Sequence, residues 1–172
     1  MKKSEQIKAE MDRLEAEYHE KAKAEAPATA EDYDYLWRKF YTSYGKDALD
    51  RLHKLEFEHL KELNREIEVG DGVTMCLWSD RHAFTVIART KATLTIQRDK
   101  AILDPSFKPE YVPGGFACHC TNSDEQSYTY ERDPNGEIEK CRWSEKRGRW
   151  QTGSDGSICI IRGRHEHYDY NF

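Results

Sequence analysis

The sequence has no long hydrophobic run. Nowhere does it approach the roughly 18 consecutive apolar residues of a transmembrane helix, so no membrane span is expected. It also has no excess of positive charge: 27 Lys and Arg stand against 32 Asp and Glu, a net charge of −5. A free nucleic-acid binder draws most of its affinity from a basic surface that neutralises phosphate. The balance here argues against bulk DNA or RNA binding and fits a protein partner, one that is itself basic. Five cysteines, an odd number at irregular spacing, do not make a disulfide framework, so reduced thiols are expected. The start is basic at Lys2 and Lys3, turns acidic at once and lacks the apolar core of a signal peptide. These features together predict a cytoplasmic protein. A glycine-rich phosphate loop, a Gly-x-Ser-x-Gly elbow and a His-Glu-x-x-His helix are all missing, which leaves an enzyme the less favoured class.

What is present divides in two. Residues 1–68 carry 13 Lys and Arg against 17 Asp and Glu, and residues 69–172 carry 14 against 15, so the negative charge is concentrated in the first part. There Ile7, Met11, Leu14 and Tyr18 fall on one stripe at helical spacing, with Glu10, Arg13, Glu17 and Glu20 opposite. Pro27 ends that helix. Thr29 and Asp32 approximate a cap for a second, whose apolar face carries Leu36, Phe40 and Tyr44. Gly45 marks an expected break before a third run over about 47–67, with Leu49, Leu52, Leu60, Leu63 and Ile67. The run is also compatible with continuity, since one glycine costs a helix only about 1 kcal/mol. The N-terminal part therefore reads as a charged helical hairpin of two or three helices.

From Val69-Gly70-Asp71-Gly72 the pattern becomes that of strands, rich in β-branched and aromatic residues. Strands are predicted over 73–78, 82–89, 93–98, 125–132, 137–143 and 157–162, with a brief pairing over 149–152. A loop spanning 101–124 contains Pro105, Pro109, Pro113, Gly114 and Gly115. Asp133-Pro134-Asn135-Gly136 predicts a tight turn joining two strands. Short strands with tight turns and no intervening helix favour a small closed barrel. The predicted fold class is thus α+β, with a helical arm over 1–68 and an antiparallel β-barrel domain over 69–172.

The segment Val69–Ile87, with its Val-Gly-Asp lead-in, Trp78, a polar turn and a Thr-Val-Ile strand, is similar to Tudor, KOW and chromo-like modules. The similarity implies an SH3-like barrel, which is a fold and not an activity. The same run from Val69 to Ile87 also resembles a family of small accessory proteins encoded by phages and mobile elements of Gram-positive bacteria. So do Asp133-Pro-Asn-Gly-Glu-Ile138, Trp143-Ser-Glu-Lys-Arg-Gly-Arg-Trp150 and Tyr168-Asp-Tyr-Asn-Phe172. That resemblance implies a setting that includes anti-CRISPR-like inhibitors of bacterial defence. It brings no site residues with it.

The candidate partner-binding residues are aromatic and basic: Trp78 and Arg81, then Trp143, Lys146, Arg147, Arg149 and Trp150. Basic groups interleaved with aromatics suit an acidic protein face or an unstacked base; the plainer reading is a solvated hairpin tip around Gly148. Cys118 and Cys120 flank His119 as candidate zinc ligands, although the usual zinc hairpin has wider spacing and no cofactor is the first expectation. His165 and His167 are predicted to share one face of a tail with Glu166 on the other, all solvated. The function expected is non-enzymatic: a binding protein that inhibits a host defence protein or ribonucleoprotein by direct contact, with dimerisation through the arm. The alternatives are a nucleic-acid-associated module using the hairpin at 140–150 and a zinc- or thiol-dependent enzyme.

Overall fold

The computed structural model describes residues 1–25, 33–114 and 117–171. Two compact units make up the chain, Met1–Leu63 and Asn64–Phe172. In the first unit, α1 (Lys3–Glu25) and most of α2 (Tyr33–Arg65) bury Leu14 against Leu49 and Leu52, with Tyr18 and Leu55 packed around them. Met11 is buried as well. The contacts run in antiparallel order: Lys3 pairs with Glu62, the Ser4 carbonyl meets His59, and Glu10 pairs with Arg51. The stripe expected in the first helix is therefore the packed one. The expected break at Gly45 does not occur, because α2 is one helix of 33 residues; a single glycine is outweighed by cooperative propagation on either side of it. Pro27, Thr29 and Asp32 lie outside the described residues, as do the side chains of the Leu36, Phe40 and Tyr44 face. No described helix is long and apolar enough to cross a membrane.

In the second unit, six strands close into an antiparallel barrel. They are β1 (Gly72–Cys76), β2 (Arg81–Arg89), β3 (Thr93–Arg98), β8 (Ile138–Ser144), β9 (Arg149–Thr152) and β10 (Ile158–Arg162). Each pairs with the next, and β10 returns to β1. Alternation decides what goes inside: Val73, Met75, Phe84, Val86, Leu94, Ile96, Cys141, Trp150 and Ile160 fill the core together with Ile67. The segment 101–124 is more ordered than expected. It supplies β5 (Tyr111–Gly114) and β6 (Ala117–Cys120), which pair with each other, and most of β4 (Lys100–Leu103), which pairs with β7 (Tyr128–Glu131) inside the strand expected over 125–132. Gly115 and Phe116 lie outside the described residues. The Asp133–Gly136 turn is present, with Gly136 N donating to Asp133 O at 3.0 Å. It does not join a hairpin, however, since β7 pairs with β4 and β8 with β3.

The segment 163–171 is not a free tail: His165 and Tyr168 are exposed, but Glu166, expected in solvent, is buried. It lies over the outside of β1 and β2 and is held by buried charge. Glu166, 9% exposed, accepts hydrogen bonds from Arg98 Nη1 and Nη2 (2.8 and 2.5 Å) and from the Ala83 amide (2.8 Å), and His82 Nδ1 lies 3.1 Å away. Burial alone would raise this carboxyl; the bonds from Arg98, Ala83 and His82 outweigh it and hold the pKa below the ordinary value. Beside it Asp99, 3% exposed, accepts from Thr85 Oγ1 and from Arg164 Nε at 2.8 Å. Thr74 donates to Gly163 O and accepts from His165 N. His165 and His167 do stack on one face, their rings 6.4 Å apart, with Glu166 turned the other way into the protein.

Candidate binding surface

The β1–β2 connection, Leu77–Asp80, is tied on both sides. Leu77 N donates to Asp80 O at 3.0 Å, and Arg81 Nη1 donates to the carbonyls of Leu77 and Asp80 at 3.0 and 2.8 Å. From the tail, Asp169 N donates to Asp80 Oδ1 at 2.9 Å, and Arg81 and His167 exchange two backbone bonds of 3.0 Å. On this fixed turn Trp78 is 86% exposed, the largest exposure of any described aromatic side chain. The tail that clamps the turn also carries exposed Tyr168, edge-on to Tyr170 at 5.0 Å, and Tyr170 lies 6.0 Å from Phe107. Tyr111 and Val112 on β5 are exposed too. Gln126 joins the tail to this region through Tyr168 and receives the Tyr128 hydroxyl, whose pKa burial pushes up to about 12.

The opposite end of the barrel holds an open cleft of about 670 Å³ beside Trp143, floored by Trp150 and edged by Arg65, Arg89, Lys91, Glu68 and Glu145. Two of its arginines are engaged by neighbouring groups. Arg65 lies over the Trp143 ring, 5.1 Å from the centroid, and pairs with Glu145 at 2.5 Å, while Trp143 Nε1 donates to the same carboxylate at 2.8 Å. Arg89 binds Glu68 and the Arg65 carbonyl.

The aromatic and basic residues singled out in the sequence therefore fall into two groups at opposite ends of the barrel. Trp78 and Arg81 belong to the first turn, where Arg81 braces the backbone and Trp78 faces solvent. Trp143, Lys146, Arg147, Arg149 and Trp150 belong to the β8–β9 hairpin. Lys146 and Arg147 are exposed at its tip, with Arg147 Nη1 donating to Gly156 O. Trp150 is a core residue, 2% exposed, its indole N–H donated to Asn64 O and its ring edge-on to Trp143 at 5.2 Å. It supports the surface from beneath. Arg149 is half-buried, and its Nε has no hydrogen-bond partner among the described residues.

No protein-family model matches the chain, and no curated protein or solved structure is significantly similar to it.

Cys118 and Cys120 both lie on β6. Cys118 is exposed, whereas Cys120 is buried, donates its amide to Asn171 Oδ1 and its thiol to Asn122 Oδ1. Among the described residues no group of three His, Cys, Asp or Glu side chains comes together to hold a metal. Sequence reasoning missed Asp99 and took Glu166 for a solvated residue, because their partners lie far away in the chain, and it missed the facing of Cys76 with Cys159, which only strand register reveals.

Proposed function

We propose that this protein acts by binding, and that it blocks a component of a bacterial defence system through direct protein contact. The observation that carries the reading is Trp78: a fully presented indole on a turn clamped by Arg81, Asp80 and the tail contributes nothing visible to the barrel core. A rigid exposed tryptophan loses little entropy on association and is the commonest kind of interface anchor. Exposed Tyr168 on the adjoining tail supports an aromatic face there. The defence setting rests on the sequence resemblance to phage and mobile-element accessory proteins. The SH3-like ancestry of the barrel and the helical hairpin of the arm, with its capacity to pair with a second copy, belong to the same proposal.

The test is affinity capture of the tagged chain from cells expressing CRISPR and other defence components, with and without nuclease, read by mass spectrometry alongside the activity of each system. Expected is a stoichiometric, nuclease-resistant defence protein whose activity falls, with both effects lost in Trp78→Ala. Defence systems that all stay fully active, or capture unchanged by Trp78→Ala, would end this reading. One observation favours a second reading, in which the chain contacts nucleic acid: Lys146 and Arg147 are exposed beside the Trp143 cleft. Salt-dependent oligonucleotide retention lost in Lys146→Glu/Arg147→Glu would mark it.

A further inference from the structure

Across four neighbouring strands of the barrel one rung reads Arg81, Cys76, Cys159, Gln151: Arg81 on β2 faces Cys76 on β1, Cys76 faces Cys159 on β10, and Cys159 faces Gln151 on β9. Met75, Ile160 and Trp150, each adjacent in sequence to a rung residue, point into the core, so the rung lies on the outer wall. Both thiols are free and partly exposed. In this ladder Gly163 N donates to Gly72 O at 2.9 Å. Alternation from that pair makes Cys76–Cys159 a hydrogen-bonded pair as well, whose Cα atoms stand about 5.5 Å apart. A disulfide bridges Cα separations of roughly 4.4–6.8 Å, most often about 5.5–6 Å. The register therefore sets the two cysteines directly opposite each other at a Cα separation that a disulfide spans, and closing the bridge asks only that the opposed Cβ atoms, about 5.5 Å apart in such a pair, draw together by about 1 Å.

We infer that Cys76 and Cys159 are a redox-active dithiol that closes to an intramolecular disulfide when a hydroperoxide oxidises Cys159. The electrostatics assign the roles. A hydrogen bond from Cys76 pulls the Cys159 thiol down to about 6, against burial, and the guanidinium charges of Arg149 and Arg81 assist. The same hydrogen bond, with burial, pushes Cys76 up. Cys159 is thus the readier of the two to give up its proton and Cys76 the one that keeps it. The buried Gln151 Oε1 and Arg149 Nε are without hydrogen-bond partners among the described residues, which leaves polar capacity beside the thiolate.

The chemistry balances in two steps. The Cys159 thiolate attacks one peroxide oxygen, the O–O bond breaks, and the departing alkoxide takes a proton from solvent to leave as alcohol or water. Cys159 is then a sulfenic acid. The Cys76 sulfur attacks that sulfur, the S–S bond forms, the S–O bond breaks, and hydroxide leaves as water with the Cys76 proton. Two thiols lose two electrons and two protons; the hydroperoxide is reduced to one alcohol, or water, and one further water. This inference stands independently of the binding role.

The experiment uses the reduced full chain treated with hydrogen peroxide. Intact mass should fall by about 2 Da, the mass of two hydrogens, and peptide mapping should place the bridge between Cys76 and Cys159. Cys76→Ser should stop at a dimedone-trappable sulfenic acid on Cys159, and Cys159→Ser should yield no bridge. Iodoacetamide labelling of Cys159 should be half-maximal near pH 6, where an ordinary thiol needs about pH 8.5. Undiminished mass under excess peroxide, a bridge elsewhere, or a Cys159 labelling midpoint at the ordinary value would overturn the inference. Circular dichroism of both variants checks that they fold.

Discussion

Removing the carboxylate of Glu166 should loosen the barrel by about 3 kcal/mol, and the figure follows from what is left behind. Glu166→Ala leaves the Ala83 amide, on a wholly buried residue, with no acceptor, which costs about 1–3 kcal/mol. It also strands the Arg98 guanidinium. Breaking a buried ion pair from one side costs about 3–5 kcal/mol, but the Arg98 side chain is 25% exposed, keeps its bond to Ala83 O and lies over the Phe84 ring, so only part of that applies. A loss of about 3 kcal/mol lowers the melting temperature of a domain this size on the order of 10 °C. Glu166→Gln, which keeps the shape and one acceptor, should lose about 1–2 kcal/mol. The pH dependence separates charge from packing. Folding lowers this carboxyl's pKa from 4.5, so the unfolded chain takes the proton more readily. Its stabilisation is complete above pH 4.5 and drains away as the pH falls through the lower, folded value. Urea unfolding at pH 7 and on the acid side of pH 4.5 should show that limb in the native chain, and a flatter one in Glu166→Gln. A change under about 0.5 kcal/mol in both variants, the range of ordinary surface substitutions, with the acid limb intact, would refute the reasoning.

Trp150→Ala should destabilise by about 3–5 kcal/mol, since it empties the core and orphans the Asn64 carbonyl. Trp78→Ala should stay within about 0.5 kcal/mol; denaturant melts of the two tryptophan variants side by side check both. Gly136→Ala would set a Cβ 2.1 Å from the Arg98 carbonyl oxygen, a backbone atom that cannot rotate away. A loss of about 1–3 kcal/mol, read as an earlier urea midpoint with unchanged slope, is expected.

The six staves of the barrel were legible because half-buried strands alternate: Phe84, Val86, Leu94 and Ile96 announce an inner face. The strand over 125–132 was legible too and contains β7, but its partner β4 and the β5–β6 ladder were not, because each of these strands has four residues, mostly part-exposed or exposed, and leaves too short a period to read. Glu166 was misread for a different reason. A carboxylate between two histidines looks like solvated tail; what buries it is Arg98, 68 positions earlier in the chain. The two tryptophans of the β8–β9 hairpin looked alike in sequence. They parted because Trp150 meets the Asn64 carbonyl and the barrel core, whereas Trp143 is held half-out under Arg65.

The pairing of β3 with β8 has an evolutionary consequence. Gln97 faces Ile138 and Arg98 N bonds Glu137 O, so the forty or so residues between them leave and rejoin the wall at neighbouring points, and loop length is cheap there. By that geometry a descendant could trade this whole excursion for a short turn and keep every stave. Yet Asp99, Gln126 and Tyr130 lie within the excursion and hold the tail. The two appendages, separated along the gene, are therefore coupled: shortening one strips the other of its hydrogen-bond partners, while the six staves keep their own pairing.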